Sequence, residues 1–218
     1  MIQTILFDLD GTLIDTNPLI LKSFEHTLSY YYPDRTFTEA ELLPFIGPTL
    51  EKSFSEMNAD QWKEMVAFYR SYNIAMHDAL VLEYPGVLDG LRRLKQEGYK
   101  MAIVTSKSRR VALKGIELFG LTHLFDAIIA ADDVTEEKPA VEPFEKAMAL
   151  LGATPNETIM VGDNATDIDG GKNAGLKTVA VGWAIKGRPY LEALQPDVII
   201  DSMEHLSDWI EAENAKTN

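Results

Sequence analysis

The sequence predicts an α/β fold: an open, parallel sheet flanked by helices, with a helical unit inserted after the first strand. Three observations carry this expectation. Six short apolar runs recur, Thr4–Phe7, Met101–Val104, Ala127–Ala130, Thr158–Val161, Thr178–Val181 and Val198–Ile200. None alternates strictly between apolar and polar residues, which is the pattern of strands buried on both faces of a parallel sheet. Amphipathic helical patterns separate most of these runs, so strands and helices alternate. Finally, the interval between the first two runs, residues 9–99, far exceeds the dozen or so residues of a simple crossover.

Taken in order, Thr4-Ile5-Leu6-Phe7 reads as a buried strand that stops at Asp8-Leu9-Asp10-Gly11-Thr12, where glycine lets the chain turn away. Asn17 is expected to cap a helix with Pro18 at its first position, and Leu21, Phe24, Leu28 and Tyr31 line one face. A second long helix starts near Asp60, with Trp62, Met65, Val66, Tyr69 and Tyr72 forming an apolar stripe for the core of the insert. Between these helices lies the loop-like Phe45-Ile46-Gly47-Pro48-Thr49. Asp15-Thr16 and Tyr84-Pro85-Gly86 read as hinges, so the insert is placed at residues 16–83 and the body at 1–15 with 84–218. In the body, Val87, Leu88, Leu91 and Leu94 form a helix face closed by Gly98; Val111, Ile116 and Phe119 lead to Gly120; Phe144, Ala147, Met148 and Leu151 lead to Gly152. The polar tail after Ile210 is expected to fray.

Composition narrows the function. The net charge of −14 argues against nucleic acid or an anionic membrane as a partner. With no cysteine, disulfides, thiolate catalysis and thiolate zinc sites are excluded. The four histidines, 26, 77, 123 and 205, show no ligand spacing. No segment approaches the roughly 18 apolar residues of a membrane span. The chain also opens directly into a strand-like run without a signal core. A soluble, cytoplasmic protein, monomeric or a small homo-oligomer, is expected.

The ends of the strands carry the chemistry, because ligands of such sheets bind outside the carboxyl ends. Asp8 and Asp10 lie two residues apart past the first strand. Close carboxylates repel unless a cation compensates, and Mg²⁺ favours carboxylate and phosphate oxygens. One ionised aspartate can then attack phosphorus while its neighbour carries protons. For those five residues alone, an Asx turn ending a strand is an equal reading. The rest of the chain tips the balance. Thr105 supplies a hydroxyl after the second strand and Ser106 begins the next turn; Lys138 supplies a cation; Gly162-Asp163-Asn164 and Asp167 add carboxylates after the fourth strand. Phosphoryl transfer needs such a set: a nucleophile, and a metal, ammonium and hydroxyl to neutralise the transferred group.

The order D-x-D-G-T, an apolar strand ending in threonine, Lys-Pro, then G-D-x-x-x-D resembles the haloacid dehalogenase (HAD) superfamily, and the resemblance spans essentially the whole chain. It implies a Rossmann-like core with an α-helical cap inserted after the first strand. It further implies that Asp8 is the nucleophile forming an aspartyl phosphate. Asp10 is the general acid/base and gives its backbone carbonyl to Mg²⁺. Thr105, Ser106 and Lys138 hold the phosphoryl group, Asp163 ligates the metal, and Asp167 and Asn164 support it. Thr4-Ile5-Leu6-Phe7-Asp8 onward, Leu43-Pro44-Phe45-Ile46-Gly47-Pro48, Met160-Val161-Gly162-Asp163-Asn164 and Ile185-Lys186-Gly187-Arg188-Pro189-Tyr190 are similar to the phosphoglycolate-phosphatase-like branch, and within it to inorganic pyrophosphatases. One departure concerns Lys138-Pro139-Ala140-Val141-Glu142-Pro143. Relatives often carry Lys-Pro-Asp-Pro there, so the local hydrogen bonds of that acid are in question.

The implied activity is Mg²⁺-dependent hydrolysis of a small anionic phosphorylated substrate, pyrophosphate first and phosphoglycolate second. A phosphosugar mutase, which uses the same core, is the enzymatic rival. A phosphorylated receiver-like signalling module is the non-enzymatic one, and the insert and second acidic motif weigh against it. Gly47 and Thr49, on a loop of the insert, are candidates for reading substrate or are simply a turn between helices. Lys107 lies near the site whether or not it touches substrate. Lys186 and Arg188 could add charge for a second phosphate or line a solvated loop. Lys52 and Arg70 are read as solvated.

Overall fold

The computed structural model describes residues 1–216. By its internal contacts the chain divides into two compact units: Thr16–Leu82, and Met1–Asp15 with the chain from Glu83 onward.

The second of these contains the sheet. Its elements are β1 (Thr4–Phe7) and, past the two-residue strands β2 (Ile14–Asp15) and β3 (Leu82–Glu83), β4 (Lys100–Val104), β5 (Ala127–Ile129), β6 (Thr158–Gly162), β7 (Lys177–Val181) and β8 (Val198–Ile200). The order across the sheet is β5-β4-β1-β6-β7-β8, and every neighbouring pair is parallel. β1, β4 and β6 are almost entirely buried, which explains their uninterrupted apolar sequence. The chain leaves β1 in one direction to build β4 and β5 and in the other to build β6, β7 and β8. The carboxyl ends of β4, β1 and β6 therefore meet at the switch point where α/β folds bind ligands.

Helices of this unit are numbered after four in the insert, α1 (Asn17–Tyr31), α2 (Glu39–Leu42), α3 (Leu50–Met57) and α4 (Trp62–Leu80); they are α5 (Val87–Gln96), α6 (Arg109–Leu118), α7 (Glu142–Leu151), α8 (Ala165–Asn173), α9 (Arg188–Ala193) and α10 (Met203–Ala215). Phe144, Ala147, Met148 and Leu151 of α7 pack on Leu6, Val104, Ile129 and Met160 of the sheet. Ile168 of α8 and Leu191 of α9 close on Ala180 from β7. Removing such apolar surface from water is the main force that docks the helices.

The expectation that the tail frays after Ile210 is corrected: α10 continues to Ala215. Contacts to two residues distant in sequence, Ile2 and Lys177, help to hold it. The Asn214 side chain accepts the Ile2 N–H at 2.5 Å and donates to the Ile2 carbonyl at 3.3 Å, and Glu213 pairs with Lys177 and Lys216.

In the unit Thr16–Leu82, Phe24 and Leu28 of α1 face Met65, Val66 and Tyr69 of α4, with Phe54 of α3 between them. Phe24 meets Tyr69 at 4.8 Å and Phe54 at 5.4 Å between ring centroids. Tyr72 departs from the expected core stripe and stacks on the exposed His26 at 4.1 Å. Asn17 is the first residue of α1, and Thr16 occupies the cap position without a side-chain capping bond. In the loop-like Phe45–Thr49, Phe45 ends a short 3-10 helix (Leu43–Phe45) and Thr49 is the cap of α3, while α2 just upstream is started by a Thr38–Glu41 capping box.

Candidate active site

The site is built from the ends of three adjacent strands. The Asp8 N–H donates to the Val161 carbonyl at 2.9 Å, so the pairing of β1 with β6 continues one residue past the strand and fixes the Asp8 backbone. Gly11 then turns the chain at φ 77°, a left-handed conformation suited to glycine. A Cβ at Gly11 would also overlap the Asp163 carboxyl group. The glycine of the first motif is thus needed for the turn and for the close approach of the fourth.

Lys138 joins these ends. Its ammonium donates to Asp8 Oδ1 at 2.8 Å, to Asp167 Oδ1 at 2.6 Å and to the Val104 carbonyl at 2.8 Å. Its three protons are all satisfied, and it is 8 % exposed. Burial alone would drive its pKa down, but Asp167 and Asp8 more than offset this, so the lysine stays charged. Asp167 is held from its other side, with Oδ2 accepting the Asn164 N–H at 3.1 Å in the capping box that starts α8.

Asp8, Asp163 and Asp167 offer carboxylate oxygens that lie within 4.8 Å of one another, and all three residues are buried. Three carboxylates against one ammonium leave two negative charges out of water. Burial first, and then the charge of Asp167, push Asp8 up to about 7. The same causes, with Asp8 adding its charge, raise Asp163 well above the ordinary carboxylate range. A cluster of hard oxygen donors with unbalanced negative charge fits a divalent cation such as Mg²⁺.

Thr105 follows β4, and its N–H donates to the Ile129 carbonyl at 2.9 Å. Its Oγ1 accepts the Lys107 N–H at 3.1 Å, which leaves the hydroxyl proton free to be donated elsewhere. Asp10 meets the Lys107 ammonium, with Nζ 2.5 Å from Oδ1.

A model of the haloacid dehalogenase-like hydrolase family matches residues 5–181. Relatives from Halalkalibacterium halodurans and Bacillus mycoides, both named pyrophosphatase PpaX, are 52% identical over 96% of this chain and 97% of theirs, and 51% identical over 94% and 95%, respectively. The chain belongs to the haloacid dehalogenase-like hydrolase family. It is a phosphate hydrolase of that family. A hydrolase of the family from Streptococcus pneumoniae has the same fold, with a TM-score of 0.86 at 28% identity, covering 96% of this chain and 98% of the other.

Within the hydrolase, the structure brings together Asp8, Lys138, Asp163, Asn164 and Asp167, and joins Asp10 to Lys107 and Lys107 to Thr105. Ser106 is exposed on the turn after β4. Lys186 is half-buried over the Tyr190 ring at 4.8 Å; burial lowers its pKa, and the charge of Asp163 opposes this in part. Arg188 instead pairs with Asp201 at 2.6 Å on the surface. Gly47 and Thr49 belong to the helical unit: Gly47 has φ 111°, and the Thr49 side chain caps α3 by accepting the Lys52 N–H at 3.2 Å. Arg70 pairs with Glu51 at 2.8 Å in the same unit.

Two supporting residues escape sequence reasoning. The Tyr190 hydroxyl accepts the Ala165 N–H at 3.0 Å and donates to Asn164 Oδ1 at 2.9 Å, bracing the start of α8. Glu142 accepts the N–H groups of Thr135 and Glu136 at 3.0 and 2.8 Å, tying down the loop that leads to Lys138. Glu142 therefore supplies local hydrogen bonds to that loop, the feature that the departure from Lys-Pro-Asp-Pro put in question. Tyr190 carries no sequence signal that separates it from an ordinary helix aromatic.

Proposed function

We propose that this enzyme is a Mg²⁺-dependent phosphohydrolase that works through an aspartyl phosphate on Asp8, with inorganic pyrophosphate as its substrate. The observation that carries this reading is the buried Asp8 carboxylate, tied through Oδ1 to Lys138 and crowded by Asp163 and Asp167. One oxygen is anchored and the other is available to attack, in surroundings that call for added positive charge.

Held by Asp8, Asp163 and the Asp10 backbone carbonyl, Mg²⁺ would supply Lewis-acid neutralisation of the phosphoryl oxygens. The remaining work falls to the chain. Asp8 Oδ2 attacks phosphorus as the bond to the leaving phosphate breaks, and Asp10 gives that oxygen a proton. Asp10 then takes a proton from the water that attacks the aspartyl phosphate, and the bond from phosphorus to Asp8 breaks to restore the carboxylate. Thr105 donates its hydroxyl proton to the phosphoryl group, Ser106 offers a second hydroxyl, and Lys138 balances its charge. Asp167 and Asn164 keep Lys138 and the start of α8 in place.

Pyrophosphate is favoured by the name shared by relatives that match nearly the whole chain. The test is phosphate release, with and without Mg²⁺, from pyrophosphate, phosphoglycolate and a sugar phosphate at matched concentrations. Mg²⁺-dependent release led by pyrophosphate is expected. Preference for phosphoglycolate would reject the substrate, and isomerisation of the sugar phosphate without phosphate release would reject hydrolysis.

A further inference from the structure

We infer that Lys107 is a positioning residue whose ammonium holds the Asp10 carboxylate in its working orientation; this rests on the role proposed for Asp10. The pair is close, with Nζ 2.5 Å from Oδ1, and the two side chains are only 16% and 19% exposed. Such partial burial makes the pair more persistent than a fully solvated one.

The lysine is itself fixed along its backbone. Its N–H donates to Thr105 Oγ1 at 3.1 Å, and its carbonyl accepts the Ala131 N–H at 3.0 Å. Lys107 is thereby strung between the end of β4 and the turn after β5, and its side chain reaches from there to the turn after β1. The Asp10 backbone lies in a tight turn, where the Gly11 N–H donates to the Ile14 carbonyl at 2.9 Å. That bond fixes the backbone and does not involve the Asp10 side chain. An aspartate has three staggered χ1 wells, and a change of well moves its carboxyl group out of hydrogen-bond reach of a fixed reacting atom. By taking Oδ1, Lys107 selects one well and leaves Oδ2 to give and receive the proton. The hydroxyl proposed to hold the phosphoryl group and the carboxylate proposed to serve the leaving oxygen then share a single structural anchor.

The competing role is direct binding of the second phosphate of pyrophosphate. Lys107→Met and Lys107→Arg, alone and combined with Asp10→Asn, separate the two. Kinetics are measured with pyrophosphate and with an aryl phosphate that lacks a second phosphate. If Lys107 acts through Asp10, Lys107→Met lowers kcat roughly tenfold or more on both substrates with KM changed less than about twofold, the range expected for loss of acid/base efficiency. Phosphoenzyme accumulates, Lys107→Arg recovers most of the rate, and adding Lys107→Met to Asp10→Asn costs nothing further in single-turnover rates. A crystal structure of metal-free Lys107→Met should show Asp10 in another rotamer.

A raised KM for pyrophosphate with kcat preserved and the aryl phosphate unaffected would overturn the inference, as would additive losses in the cycle or an unmoved Asp10. Those results would leave the phosphohydrolase reading intact. A wild-type protein that hydrolyses neither substrate with Mg²⁺ would remove that reading and this inference together.

Discussion

Asp167 and Lys138 form a buried pair in which each partner is fixed by something else. Asp167 Oδ1 accepts from the lysine at 2.6 Å while Oδ2 accepts the Asn164 N–H, and the lysine reaches on to Asp8. The helix cap and the proposed catalytic carboxylate are thus parts of one hydrogen-bonded chain. Asp167→Asn keeps the shape and removes the charge that holds the lysine. We expect a fall of about 10- to 100-fold in activity or Mg²⁺ affinity, the usual cost of losing an outer partner of a metal site. A Mg²⁺ titration of phosphate release checks it.

The raised pKa of Asp8 makes metal-free stability depend on pH. Its ordinary value is 3.8 and its folded value about 7, so across this window the folded state holds more protons than the unfolded state. Stability therefore falls as pH rises from about 4 to about 7. Asp8→Asn removes the titrating group and also relieves Asp163, so the variant should gain stability relative to wild type along that rise. Urea melts without metal at several pH values measure the difference. A parallel pair of curves would mean that Asp8 is not perturbed.

Gly11→Ala should damage both stability and the site. The residue sits at positive φ, and its Cβ would enter the space of the Asp163 carboxyl group. Strain of this kind costs on the order of 1–3 kcal/mol, and displacement of Asp163 should weaken Mg²⁺ binding. Trp183, whose indole N–H donates to the Thr12 carbonyl at 3.2 Å, is a fluorescent reporter for the titration.

Arg188→Ala should be nearly silent. Its guanidinium is engaged with Asp201 in an exposed pair, and pairs of this kind contribute about 0–1 kcal/mol. We expect kcat/KM for pyrophosphate within about twofold of wild type. A larger loss would show that Arg188 leaves Asp201 to meet substrate.

The parallel sheet was legible because its strands are buried on both faces and read as unbroken apolar runs, as Thr4–Phe7 does. Asp8, Lys138, Asp163 and Asp167 were legible because they follow strand ends or sit at motif spacing, and the fold gathers them at one switch point. Other features were hidden because their partners are remote in sequence. Nothing near Asn214 indicates that it binds Ile2, and nothing near Tyr190 indicates that it braces Asn164. Thr16 and Asn17 differ by one position in a helix start, below what capping preferences resolve. Arg188 stayed open between serving a second phosphate and lining a solvated loop, because sequence position shows a charge and not its counter-ion.

Phosphorylation of Asp8 during turnover underlies the proposed reaction. Its most direct test is an acid quench of the enzyme with Mg²⁺ and radiolabelled pyrophosphate, followed by peptide mapping. Acid-stable, hydroxylamine-labile label is expected on the peptide containing Asp8 within one turnover, and none in Asp8→Asn, which should not turn over. Full hydrolysis without covalent label at any time point, or turnover that survives in Asp8→Asn, would contradict it.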